Sequence, residues 1–466
     1  NNDRVFNNST LGGGVQELNQ DTLVSRSGLS KRTWTGATID VSTSQQYDAN
    51  NRAANRFPSY WESLVETGIR QPLLQGGGIR FNRIAGPNAR PGFRFSNGIL
   101  IAQLNDQISD ADFQIAMRRF VRDLYSAYWN LAASYESYRS LEEATDLAYR
   151  TWQSVLAKRE AELEGGEAFK EAQARSRYHR LKRRLSGALD GPKDSSGLYG
   201  AERELRRLMG LPLAPGVLNS LEHTAEFASM NDCEPAVYVL LRPSDKPPLS
   251  EWVFDFDDLV ARGTAHRVEL QRQAVKIHQQ QLRLSAARNF MLPQLDLIGR
   301  YRVRGFGDDL TGGGPGFNSA ADDLFSFDHQ EWEFGLEMGV APGRRQARAA
   351  VRNAALQLQR DREVMEELQR ELRYAISEAQ AEVSSAYDAI SISQAQVEAS
   401  RQRLSSSISL YEAGKIRLEF LLDAQEELVD AETQLAEDHS RHAIALIRVN
   451  EATGTLLNDI GIHVAQ

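Results

Sequence analysis

Gln330-Glu-Trp-Glu-Phe-Gly-Leu-Glu-Met-Gly-Val340 is followed by Ala341-Pro-Gly343 and then by 70 residues, Arg344 to Ala413, that contain neither glycine nor proline. Two periodicities meet at this junction. In the first stretch Trp332, Phe334, Leu336, Met338 and Val340 alternate with Glu331, Glu333, Gly335, Glu337 and Gly339, which predicts a strand with one greasy and one charged face. In the second, Ala347, Val351, Ala354, Leu358, Met365, Leu368, Leu372, Ala375, Ala379, Val383, Ala386, Ile390, Val397, Leu404, Ile408 and Tyr411 recur at steps of three and four, or seven. That spacing predicts one stripe of a helix. As a single helix the run is on the order of 100 Å long, whereas helices in soluble domains average about 11–12 residues. A second run free of glycine and proline, Ile99–Glu164, is richer in aromatics, with Phe120, Tyr125, Tyr128, Trp129, Tyr135, Tyr138 and Trp152. By themselves such runs fit a long coiled coil equally well.

Other segments share the two-residue period. Leu295, Leu297, Tyr301 and Val303 alternate with Gln294, Asp296, Arg300, Arg302 and Arg304. A weaker pair lies earlier. Ala37, Ile39 and Val41 oppose Thr38 and Asp40, and Trp61, Val65 and Ile69 oppose Glu62, Glu66 and Arg70. Each segment has about the 9–11 residues of a transmembrane strand, and Trp34, Tyr60, Trp61, Tyr301 and Trp332 sit near segment ends, where aromatic girdles lie. A soluble antiparallel sheet also alternates, but the density of arginine and glutamate on the polar faces suits a water-filled lumen. On this reading Glu331, Glu333, Glu337, Arg300, Arg302 and Arg304 line the lumen, and Trp332, Phe334, Leu336, Met338, Leu295 and Leu297 face lipid. Four strands cannot close a barrel, because the smallest membrane barrels use about eight, and an open edge cannot sit in lipid. Strands of this kind in a membrane require several chains to share one barrel.

Composition narrows the classes. The chain has 466 residues and a formal net charge of −9, which argues against a nucleic-acid partner. The basic run Arg175–Arg184 reads as a solvated helix face. One cysteine, Cys233, allows no intrachain disulfide. No run of about 18 apolar residues predicts a transmembrane helix. The polar opening Asn1-Asn2-Asp3 reads as the interior of a longer chain rather than a signal peptide.

The order strand, strand, long helix, second helix occurs twice, so the chain reads as a duplication. Residues 1–31 form a polar N-terminal segment. The first repeat spans 32–245, with strands at 33–43 and 59–74 and helices at 99–164 and 167–210, and a proline-rich link covers 211–250. The second repeat spans 251–466, with a helix at 255–290, strands at 293–305 and 329–341, and helices at 344–412 and 415–458. Glu164-Gly-Gly166 and Tyr411-Glu-Ala-Gly414 mark helical hairpin turns.

Four ordered motifs carry a resemblance to a known family. They are Gly68-Ile-Arg-Gln-Pro-Leu-Leu-Gln-Gly-Gly-Gly78; Asp258-Leu-Val260 through Arg267-Val-Glu-Leu270 and Ala287-Arg288 to Leu292-Pro-Gln-Leu-Asp-Leu297; Tyr411-x-x-Gly414 with Leu421-Leu-Asp-Ala-Gln425; and the closing segment at Gly454. Over residues 58–460 the chain resembles the TolC-like outer-membrane efflux proteins. The resemblance implies a mainly α protein with a transmembrane β part. It implies a homotrimer in which four strands per chain close one twelve-stranded barrel in outer-membrane lipid, with the long helices forming a periplasmic tunnel. It implies docking to a periplasmic adaptor (membrane fusion) protein and an inner-membrane RND, ABC or MFS transporter, passive export, and no enzyme activity, cofactor or metal. The alternative of another class is a soluble coiled-coil scaffold.

The same resemblance implies a gate at the hairpin tip. Tyr411 and Asp423 fall on family positions for the closing network and the acidic constriction, beside the turn at Gly414. A second constriction acid falls on Phe420, next to Glu419, and the gate arginine falls on Ile416, between Lys415 and Arg417. The chain also departs from the family in residues 1–31, where a helix is expected, and in the Gly/Pro-rich insertion Ile79–Gly98. His439 and His442 lack a third metal ligand, Gly12–Gly14, Gly76–Gly78 and Gly312–Gly314 lack a phosphate-loop lysine, and Asp308, Asp309, Asp322, Asp323 and Asp328 read as a solvated exterior loop.

Overall fold

The alternating segments pair into one antiparallel sheet in the order β1-β2-β3-β4-β5-β6. The strands are β1 Asn2–Phe6, β2 Glu17–Arg32, β3 Thr38–Asn50, β4 Ser59–Pro72, β5 Gln294–Gly307 and β6 Gln330–Gly339. The helices are α1 Ile79–Ala85, α2 Ile99–Glu160, α3 Ala168–Asp190, α4 Leu198–Met209, α5 Phe256–His266, α6 Val268–Asn289, α7 Ala320–Ser326, α8 Arg345–Glu412, α9 Leu418–Thr453 and α10 Leu456–Asp459. The computed structural model describes residues 2–6, 17–52, 57–87, 89, 97–162, 165–190, 197–211, 240–249, 251–312, 319–340 and 342–462. Cys233, Gly12–Gly14, Pro212, Pro215 and Pro235 lie outside them. No described helix is long and apolar enough to cross a membrane.

The chain has two compact units, Asn1–Ser109 with Gln273–Val364 and Asp110–Arg272 with Met365–Gln466, and each combines segments from both sequence repeats. The first unit holds the sheet. Cross-strand partners keep the two faces distinct: Thr43 opposes Val65, Val65 opposes Val303, and Tyr301 opposes Trp332. Beside the sheet, Phe81, Ile84 and Ala85 of α1 pack with Ile101, Leu282, Ala286, Phe290 and Ala347 in one buried cluster. The insertion at Ile79–Gly98 therefore begins with a helix, and its apolar face gives that segment a core.

Among the described residues the sheet has six strands rather than four. β2 occupies much of the segment read as irregular and polar, and β3 begins at Thr38, after a turn at Trp34–Ala37, rather than at residue 33. The reason is that β2 pairs with β3 through its backbone over thirteen residues, Gln20–Arg32 with Thr38–Asn50. On the face shared with Ile39 and Val41 of β3 its side chains are Lys31, Leu29, Ser27, Ser25 and Leu23, which give no continuous apolar alternation.

In the second unit, α2, α3, α8 and α9 pack through Leu, Val and Ala. Val155, Ala174, Leu418 and Leu422 form one cluster, and Leu404, Leu421 and Ala424 another. The predicted helix at 255–290 is two helices, because Arg267 is extended (φ −71°, ψ 113°). Its Gly263 packs against α8, where an added Cβ would lie 2.8 Å from Leu372 Cδ1. Residues 240–249 form no regular element and lie against helices: Tyr135 donates to the Leu241 carbonyl at 3.1 Å and Tyr128 to Asp245 at 2.9 Å.

Candidate channel face and hairpin tips

Two constellations stand out, one in each unit. The first is the charged face of the sheet. Arg300 bonds Glu333 at 2.9 Å and lies 3.2 Å from Glu66. Arg302 joins Glu66 at 2.6 Å to Glu331 at 3.2 Å. Arg304 reaches Glu331 at 3.5 Å and Glu62 at 3.9 Å. Arg70 bridges Asp296 at 2.8 Å and Glu337 at 2.6 Å. All six residues read as lumen-lining come together here. Glu62, Glu66, Arg70 and Asp296 complete the network, because the two-residue period and the cross-strand register bring the charged positions of β4, β5 and β6 into line on one face. The opposite face exposes Trp332, Phe334, Leu336 and Met338, at 63%, 76%, 68% and 67%. Leu297 is exposed, Leu295 is half-buried, and both share that face through their partners Leu336 and Met338.

The second constellation is at the helical hairpins. α8 ends at Gly414, which takes the left-handed conformation (φ 70°); the Lys415 N–H donates to the Leu410 carbonyl at 2.8 Å and the Gly414 N–H to Tyr411 at 3.0 Å. This is a glycine-terminated helix end. Tyr411 is half-buried among Trp152, Leu418 and Leu422, with the Lys158 ammonium 4.9 Å from its ring centre. Its hydroxyl is buried and has no hydrogen-bond partner among the described residues, and burial raises its pKa above the usual 10. Asp423 is exposed on α9 and accepts from Arg177 of α3 at 3.0 Å. Arg177, itself buried, also donates to the Leu422 carbonyl at 2.9 Å and pairs with Glu426.

Beyond Arg177, Arg184 bonds Asp430 at 2.7 Å, and Arg180 and Arg184 each approach Glu426 at 3.8 Å. The basic run is thus a clasp between α3 and α9 rather than a free solvated face. The signal was present in the spacing: arginines at 177, 180 and 184 and acids at 423, 426 and 430 share steps of three and four, which put each set on one helix face. Deeper in this region, Trp152 donates to Glu171 at 2.8 Å, Arg159 reaches the same carboxylate at 3.1 Å, and Gln425 donates to Thr151 at 3.0 Å.

No protein-family model matches this sequence, and no curated protein does. Solved structures do match. CusC, described as forming a transmembrane channel, aligns at 14% identity and TM-score 0.60, over 93% of this chain and 83% of that one. VceC, an outer-membrane protein of Vibrio cholerae, aligns at 14% identity and TM-score 0.61, over 93% and 87%. The CmeC outer-membrane channel of Campylobacter jejuni aligns at 14% identity and TM-score 0.59, over 94% and 78%. The fold is TolC-like.

Within the TolC-like fold, the carried-over tip residues take different places. Asp423 belongs to the ion-paired clasp and Tyr411 to a packed cluster. Gly414 forms the turn, and an added Cβ there would meet nothing within 4 Å. Phe420 is half exposed, and Arg417 reaches Glu419 at 3.3 Å. Other candidates have local partners. His442 is fully buried; its Nδ1–H donates to the Pro248 carbonyl at 3.0 Å and its ring lies 5.9 Å from Tyr387. Asp322 accepts from the Ser319 hydroxyl at 2.7 Å, and Asp323 accepts from the Phe306 N–H at 2.8 Å. No group of three or more metal-ligating side chains is found among the described residues.

Proposed function

We propose that the protein is an outer-membrane exit duct: a homotrimer whose sheets join into a barrel in lipid and whose long helices form a periplasmic tunnel. The observation that carries this reading is the sheet. One face exposes Trp332, Phe334, Leu336 and Met338, and the other holds arginines paired with glutamates across three strands. A soluble protein pays for such an apolar face unless something covers it. Hydrocarbon outside and water inside suit both faces. Twelve strands, β3–β6 from each of three copies, close the barrel. The remaining wall of the duct is helical, and the hairpins carrying Gly414 and Asp423 dock a periplasmic adaptor that brings an inner-membrane RND, ABC or MFS transporter. The TolC-like fold supports this assignment, as do outer-membrane channels among its structural neighbours. Passage is passive, driven by the transporter, with no catalytic residue or cofactor.

Fractionation of cells tests it. The expected result is a protein found with the outer membrane, released only by detergent, and migrating as a trimer that heat converts to monomer. A chain freely soluble without detergent overturns the duct and leaves the coiled-coil scaffold.

A further inference from the structure

Strand direction exposes a conflict at the edge of the sheet. Each neighbouring pair from β2 to β6 is antiparallel. Four reversals separate β2 from β6, so these two run the same way. Three separate β3 from β6, so those run oppositely. In a closed ring of identical copies, β6 of one copy lies beside the leading strand of the next. If β2 leads, that junction is parallel; if β3 leads, every junction is antiparallel. Among the described residues, β1 restores the alternation only beside Glu17–Asp21.

Side chains point the same way. On the greasy face β3 presents Ile39, Val41, Thr43, Gln45 and Tyr47. Their partners on β2 are Lys31, Leu29, Ser27, Ser25 and Leu23, so the two strands are polar at the same middle positions and differ chiefly at Lys31. Lys31 places a charge beside Ile39 on the apolar face, and a charge facing lipid is unfavourable. β6 is the opposite case. It has an open edge and is exposed from Gln330 to Met338, and its unpaired backbone groups cannot remain in hydrocarbon. Its ten residues fit along the thirteen of β3. Seated there, Trp332, Phe334, Leu336 and Met338 continue the apolar band of Ile39, Val41 and Tyr47.

We infer that β2 is an exchangeable guard strand. In the single chain it covers the β3 edge against premature pairing, the problem every edge strand poses. On assembly, β6 of a second copy of this chain displaces it and takes its place on β3. The inference rests on the duct reading.

A reversible lock tests it. In the full chain carrying Cys233→Ser, cysteine pairs are placed at Ser27 and Thr43, and separately at Arg26 and Ser44, which are opposed residues of β2 and β3. Successive opposed pairs alternate between wide and close geometry, so one of the two suits a disulfide. Urea-unfolded protein is oxidised or kept reduced and then refolded into phosphatidylcholine vesicles. The expected result is at least a tenfold loss of heat-modifiable trimer in the oxidised form, recovered when dithiothreitol is added. A chain lacking residues 1–32 is expected to form trimer like its parent. Equal trimer yield from oxidised and reduced forms overturns the exchange, as does loss of trimer in the shortened chain. Failure of the Cys233→Ser parent itself to form trimer instead overturns the duct.

Discussion

His442 is buried, and it shows how much a single site depends on its surroundings. Nδ1–H donates to the Pro248 carbonyl, and Nε2 is buried with no hydrogen-bond partner among the described residues. Burial holds its pKa below the ordinary 6.5, opposed by the Pro248 carbonyl. His439, one turn away, is also lowered by burial, with Asp438 and Glu136 pulling up and His442 pulling down. The unfolded chain therefore takes up these protons at higher pH than the folded one. Their contribution is present above about pH 6.5 and is lost as pH falls toward the lowered folded values. The expected outcome is a trimer that melts at lower temperature at pH 5.5 than at pH 7.5, with a smaller difference in a His439→Gln/His442→Gln variant. An unchanged difference in that variant removes the two histidines as the cause. The i, i+3 spacing of this pair was visible in the sequence, but the strand of chain that satisfies it was not, because Pro248 is 194 residues away.

Between elements, the α3–α9 clasp is the contact with most at stake. Arg177 is buried and holds Asp423, Glu426 and the Leu422 carbonyl together. Removing a buried charged partner strands the groups it served, at about 1–3 kcal/mol. Arg177→Ala is therefore expected to lower the trimer's melting temperature and to open the tip, read as greater single-channel conductance in a planar bilayer. Arg180→Ala, whose contact is long and exposed, is expected to change neither by much. Equal effects from the two variants would count against the clasp. The single helix read at 167–210 is two, α3 and α4, whereas helix type and approximate span were legible for α9, a glycine-free run with a 3.6-residue stripe. The break at Arg267 and the short α1 were not, because the local sequence permits a helix on either side and packing decides where it stops.

For the whole molecule, the exposed face of β6 must find a cover or a solvent it suits. Arginine placed at the middle of a lipid-facing strand costs about 2–4 kcal/mol. Phe334→Arg and Leu336→Arg are each expected to reduce outer-membrane trimer severalfold, measured by heat-modifiability in membrane fractions, whereas Glu333→Gln on the charged face leaves it near normal. Loss with Glu333→Gln and tolerance of Phe334→Arg would reverse the assignment of faces.

Periodicity alone determined β4–β6, the first part of β3 (Thr38–Thr43), the two long helices and the glycine-marked turns, because each follows from geometry within a few neighbouring residues. Tertiary structure alone decided what those segments meet. It paired polar β2 with β3 through backbone hydrogen bonds that leave no side-chain pattern, and it set Arg177 against Asp423 across 246 positions of chain. Pairing over such separations depends on which surfaces the fold brings together, and a local period carries no record of that.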